Sequence, residues 1–176
     1  MVGKRGQIWV ETVIYTLIAL TMIGAVLAFV LPKVQEIQDK AIIEQSIDVM
    51  ENLNEVIISA VQGGVGNKRV IDLEIKDGIM KINSTSDIIF FEIESTFEYS
   101  EPGQQISIGS IIAETTKTEN INLIILSSNY SRYNITYTGE EIIKEITKSP
   151  TPYTVSIEHK IKDDAGKVNI DFIVTG

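Results

Sequence analysis

Twenty consecutive residues, Thr12 to Leu31, carry no charge, and apolar side chains among them fall on every side of a helix. A helix of that length rises about 30 Å, the thickness of bilayer hydrocarbon, so the segment is long enough to span a membrane. Glu11 stands at its near edge, where a carboxylate is costly unless it reaches the interface or meets a cationic partner. Further on the pattern becomes one-sided. Ile43, Ile47, Met50, Leu53, Ile57 and Ala60 recur in steps of three and four, while Glu44, Asp48, Glu51, Asn52 and Glu55 take the other faces, which predicts an amphipathic stem. Pro32 predicts a kink near residues 28 to 32, and Gly63, Gly64 and Gly66 end the helix. From Ile8 to Val61 the element would be about 80 Å long. Its first half is suited to lipid or sister helices. Its second half is expected to lie against a folded head, because the stripe covers only about two and a half heptads, too few for a free coiled-coil stalk.

From Arg69 the period switches to two. Ile71, Leu73 and Ile75 alternate with charged residues, Asp77-Gly78 supplies a tight turn, and Ile79 to Ile82 follows, a pattern that predicts a hairpin. Ile89, Phe91, Ile93, Phe97 and Tyr99 continue the alternation, and Pro102-Gly103 marks a turn. Further strands are expected at Ile106 to Ala113, Ile121 to Leu126 and Tyr133 to Tyr137, and a short helix within Gly139 to Lys148 from the spacing of Ile142, Ile143 and Ile146. A C-terminal hairpin is the clearest of these. Tyr153, Val155, Ile157, His159 and Ile161 share one face of its first strand, and Val168, Ile170, Phe172 and Val174 share one face of its second. About seven strands at intervals near ten residues imply an antiparallel sandwich or a partly closed barrel. The fold class is therefore α+β: a long N-terminal transmembrane-plus-stem helix, then an antiparallel β-sandwich-like head.

Composition narrows the function. A net charge of −9 leaves no cationic excess to neutralise phosphate, so no nucleic acid partner is expected. Without cysteine there are no disulfides and no thiolate chemistry. About 110 residues beyond the helix are enough for one modest domain. Three acceptor triplets for N-glycosylation, at Asn83, Asn129 and Asn134, lie in this distal part and, if used, mark exposed loops of a secreted region.

The N-terminus carries the most specific signal. A basic leader with Lys4 and Arg5 ends in Gly6, a long apolar helix follows, and Glu11 is the fifth residue counted from Gln7. This arrangement resembles the class III signal of type IV pilin-like proteins, particularly archaeal pilins and archaellins. The resemblance covers the N-terminal segment only. It implies cleavage between Gly6 and Gln7 by a prepilin-type peptidase and a register role for Glu11. Four residues apart, the new amine on Gln7 and the Glu11 carboxylate share a helical face and can pair within one subunit or between neighbours. Two other readings stay open: a secretory signal cut after Val26-Leu27-Ala28, and an uncleaved anchor held by Lys4 and Arg5 under the positive-inside rule. All three put the bulk of the chain outside the cytoplasm.

Chemistry elsewhere is sparse. His159 is the only histidine and is expected to be structural. Asp163, Asp164 and Asp171 lack the spacing of a calcium loop and are expected in a solvated turn. Glu92, Glu94, Glu98, Glu140 and Glu141 are expected on exposed faces, and Tyr130, Tyr133, Tyr137 and Tyr153 in core or edge packing. The expectation is therefore a non-enzyme, with no catalytic residues, metal site or cofactor, organised as a leader (1–6), a transmembrane and assembly helix (7–32), an amphipathic stem (33–62) and an extracellular head (67–176). Its implied partners are sister subunits or further copies of itself, the peptidase, a filament assembly platform and the membrane. The alternatives are a minor pilin or archaellum component, or a monomeric membrane-anchored binding module.

Overall fold

A computed structural model describes the backbone of residues 4–119, 121–163 and 165–176, and their side chains from Trp9 onward. One helix, α1 (Lys4–Gln62), runs through Pro32 without ending there. It stops where glycine takes over: the Gly63 and Gly64 N–H groups donate to the carbonyls of Ser59 and Val61, and Gly64 adopts φ 81°, the left-handed conformation that closes helices. The Gly66 N–H then donates to the His159 carbonyl, and the His159 N–H to the Asn67 carbonyl. The chain is thereby delivered to the first sheet.

Ten strands follow α1: β1 (Lys68–Leu73), β2 (Ile79–Asn83), β3 (Ile88–Ser95), β4 (Gln105–Ile108), β5 (Ile111–Lys117), β6 (Asn122–Asn129), β7 (Tyr133–Tyr137), β8 (Ile143–Thr147), β9 (Tyr153–Lys160) and β10 (Val168–Thr175). They form two unclosed sheets, β1-β9-β10-β7 and β4-β5-β6-β3-β2-β8. Pairing is antiparallel except between β10 and β7. Inward residues of both sheets, among them Phe91, Ile93 and Leu126 of one and Val155, Ile157 and Phe172 of the other, join the helical residues Ile43, Met50, Leu53 and Ile57 in one buried cluster. The arrangement is an α+β fold with a sandwich-like head, and the expected stem packing is present.

The chain divides into two compact units, residues 1–38 and 39–176, with the boundary inside α1. The second unit thus contains the last 24 residues of the helix as well as every strand.

Several sequence expectations change. The hairpin expected around Asp77-Gly78 does not form: β1 pairs with β9, whereas β2 pairs with β3 and β8. A two-residue period states which face is apolar but not which sheet receives it. Gly78 is required for another reason, since at φ 82° a Cβ would lie 2.6 Å from the Glu92 carbonyl oxygen. The single strand expected over Ile106 to Ala113 is a hairpin, β4 to β5, turning at Gly109-Ser110 with Ile108 opposite Ile111. β3 stops at Ser95, whose hydroxyl accepts from the Phe97 N–H, so Phe97 and Tyr99 lie beyond it.

The helix expected in 139–148 is strand β8. Ile146 is buried opposite Met80, while Ile143, Glu145 and Thr147 are exposed. The free edge of β2 offers backbone partners at once, whereas so short a helix would have to meet its nucleation cost alone. Ile161, expected on the inward face, lies past the end of β9 and is exposed.

Candidate functional site

The described part of the first unit is helical, and its large apolar side chains are exposed. Trp9, Tyr15, Leu20, Met22, Phe29 and Ile37 are all largely exposed, although they point in different directions around the axis. Its length and apolarity are sufficient to cross a membrane. Two of its threonine hydroxyls are satisfied internally: Thr16 and Thr21 donate to the Thr12 and Leu17 carbonyls at 2.8 and 2.7 Å. Such back-bonding lets a hydroxyl enter an apolar environment without an unpaired group. Glu11 is exposed and is the one charged side chain between Trp9 and Pro32. Gly6 and Gln7 lie within helical backbone, so residues 7 and 11 are one turn apart. The side chains of Lys4, Arg5 and Gln7, and all of residues 1–3 of the expected leader, lie outside the described residues. The next charged pair, Lys33 with Glu36 at 2.6 Å, is exposed.

At residue 39 the character of the helix changes. Asp39 is buried, and its Oδ2 accepts from both the N–H and the hydroxyl of Thr96, each at 2.6 Å. Lys40 lies 5.8 Å from the centre of the Phe97 ring, within cation–π range. Burial, with the Glu44 carboxylate adding to it, raises the Tyr99 phenol above its ordinary value. The first helical turn of the second unit therefore holds the 96–99 segment. Asp39 and Thr96 are 57 residues apart, and no local pattern marks them as partners.

The glycosylation triplets occupy three different settings. Asn83 ends β2 and is half-buried, its Oδ1 accepting from the Ser86 N–H at 3.2 Å. Asn129 ends β6 and is exposed, its Oδ1 accepting from the Ser131 N–H at 2.8 Å. Asn134 lies inside β7, half-buried, so for this triplet the expectation of an exposed loop is corrected.

Asp171 is also corrected. It is not in the solvated turn: with Ile170 and Phe172 turned into the core, Asp171 faces the opposite side of β10 and is only 1% exposed. Its oxygens accept from Lys160 Nζ at 2.5 Å, the Thr136 hydroxyl at 2.8 Å and the Gly139 N–H at 2.7 Å. The 137–140 turn, through the Gly139 N–H, closes over it together with Thr136 and Lys160. Asp163 does sit in a turn, accepting from the Lys167 N–H, while Asp164 lies outside the described residues.

His159 is buried, and its Nδ1 has no hydrogen-bond partner among the described residues. Tyr130 belongs to the core, with Tyr133, Tyr137 and Tyr153 packed against it; burial pushes the Tyr130 phenol up to about 12. Glu94, Glu98, Glu140 and Glu141 are exposed. Glu92 is half-buried and holds Lys81 at 2.9 Å, and this hydrogen bond chiefly raises the Lys81 ammonium above its usual range. A groove of about 490 Å³ lies beside Asp77, Glu92, Glu94 and Lys148. Among the described residues no three His, Asp or Glu side chains converge as metal ligands.

The features available for function are thus an uncovered apolar helix with one acid near its start and a folded head whose chemistry-bearing groups are mostly engaged in structure. The architecture, a long apolar N-terminal helix followed by a β-rich head, is compatible with that of pilin-like proteins. The chain matches no protein-family model, no curated protein and no solved structure.

Proposed function

We propose that this chain is a structural subunit of an extracellular type IV pilus-like filament. In this reading a prepilin-type peptidase cuts between Gly6 and Gln7, the apolar helix holds the subunit in the membrane as a single pass, and an assembly platform passes it to a bundle of sister helices. Lys4 and Arg5 keep the leader on the cytoplasmic side. The head stays outside and provides the surface for adhesion or other contacts. The action is mechanical, with no catalysis, no cofactor and no nucleic acid partner.

One observation carries the reading: within a single helix, the apolar side chains between Trp9 and Ile37 are exposed, whereas from Ile43 the apolar stripe is buried in the head. A surface that the chain does not cover must meet either lipid or other chains. Moving such a helix from bilayer to bundle exchanges one apolar environment for another, so bulk apolarity contributes little and close packing and polar pairing decide the arrangement. Glu11 is the residue suited to set it. Paired with the amine of Gln7 it is tolerated in the bundle, and slipped along the axis it would be a buried, unpaired charge.

The test is the mature N-terminus together with Glu11→Ala. Mass spectrometry of native protein is expected to find Gln7 first. Glu11→Ala is expected to be processed normally but to enter filaments about tenfold less or worse, the effect of losing about 1.4 kcal/mol or more. Native protein that begins at Met1 or Phe29, or undiminished incorporation of the variant, would reject the reading.

A further inference from the structure

The three glycosylation triplets, separated by up to 51 residues in sequence, meet at one end of the head. Asn83 and Asn129 are both register partners of Ile88, one on each side of β3, so they stand two strand spacings, about 10 Å, apart. Asp87 gathers this end together. At φ 54°, uncommon for a residue with a side chain, it accepts the Tyr130 N–H on its carbonyl and the Ile135 N–H on Oδ1, and it pairs with Lys167 through Oδ2 at 3.3 Å. Turn 83–88, turn 129–133 and the start of β10 are thereby tied to one residue. Thr96 follows β3 at its other end, where it holds Asp39. The triplets therefore sit at the pole of the head away from Asp39.

Only one of the three has both its asparagine and its hydroxyl residue exposed in the folded head. The Asn134 triplet has its acceptor hydroxyl shut away: Thr136 is buried, and its Oγ1 lies between Asn169 Oδ1 at 3.1 Å and Asp171 Oδ1 at 2.8 Å. Asn83 is flanked in the sheet by Ile88 on one side and Ile143 on the other and is half-buried, although the hydroxyl residue of its triplet, Thr85, is exposed. Asn129 has a ladder partner on the β3 side alone, because the pairing of β5 with β6 ends at Ile112 opposite Ser127. Asn129 and Ser131 are both exposed. The turn between them commits Asn129 Oδ1 to the Ser131 N–H and does not use the amide nitrogen.

We propose that Asn129 is an N-glycan acceptor of the folded head, and that Asn83 and Asn134 are not. The donor is an oligosaccharide carried on a polyprenyl phosphate or diphosphate. Asn129 Nδ2 attacks the anomeric carbon and forms the N–C bond, the C–O bond to phosphate breaks, the lipid phosphate leaves with that electron pair, and the amide nitrogen loses one proton. The proposal rests on the extracytoplasmic position of the head given in the preceding subsection.

The experiment sequences glycopeptides from native protein taken from its own cells. In parallel, a membrane-impermeant amine label applied to intact cells reports whether head lysines face outward. The expected result is a labelled head with a glycan on the Asn129 peptide and bare Asn83 and Asn134. Asn129→Gln and Ser131→Ala are expected each to abolish the increment, and Asn134→Gln to preserve it. Ser131→Ala keeps Asn129 and the backbone N–H of its turn, so it separates loss of acceptor function from misfolding. A labelled head with Asn129 bare overturns the glycan site and leaves the topology standing. An unlabelled head overturns both, and a glycan on Asn83 or Asn134 overturns the selection.

Discussion

Ile37 and Ile43 are the same residue type, six positions apart in one helix, yet the first is 68% exposed and the second fully buried. Nothing in their local conformation differs, since both sit in uninterrupted α-helix. What differs is burial: Ile43, Met50, Leu53 and Ile57 join the buried cluster of the head, whereas the large apolar residues between Trp9 and Ile37 are exposed. One helix thus serves two environments. In the second unit apolar side chains stabilise the fold of this molecule, and in the first they are exposed.

The sharpest way to break this comparison is to remove the same atoms on either side of the boundary. Leu53→Ala, in the core, is expected to cost the head about 3 kcal/mol by lost burial and the cavity left behind. Leu20→Ala is expected to shift the same unfolding transition by less than about 0.5 kcal/mol. Calorimetry of the full chain in detergent reads both, and equal effects would mean that the two units are not energetically distinct.

A second prediction concerns pH and belongs to the head alone. Burial holds the Tyr130 phenol neutral up to about 12, against an ordinary value of 10.0. Between those values the unfolded chain releases this proton and the native head keeps it, so stability is full below pH 10 and falls as pH rises through the interval. The loss attributable to this group is on the order of 2 to 3 kcal/mol. Urea unfolding at pH 9 and pH 12 is expected to show it, and Tyr130→Phe to show a correspondingly smaller fall. Identical pH profiles for the two proteins would contradict it.

The smallest expected effect lies at the boundary itself. Thr96→Val removes one of the two hydrogen bonds to Asp39 and retains the backbone one, at a cost of about 1 kcal/mol. Amide exchange at residues 39–44 is expected to quicken about fivefold, with exchange in β9 and β10 unchanged. Uniform acceleration across the head would instead make Asp39 part of the general core.

The helix and most strands are legible because they are local. Charge-free length, the change from an all-round to a one-sided pattern and the glycines after Gln62 all lie within a few residues of what they specify. The C-terminal hairpin was equally readable, since β9 and β10 are adjacent in sequence and each shows an apolar face. The sites in the head were not legible in this way. Asp171 and Asp163 are both aspartates near the last hairpin, but one is buried under a turn that comes from residues 137–140 and the other is not.

The sequence by itself determined where the chain is helical, where it alternates, and which segment is apolar enough to seek lipid or other helices, because periodicity and hydropathy act over a single element. Only the tertiary structure decided which sheet each strand joined, that residues 139–148 form an edge strand instead of a helix, and that Asn129 and not Asn134 presents its triplet to solvent. Those outcomes depend on hydrogen-bond partners and covering side chains 30 or more residues away, and a period of two is the same whichever partner arrives.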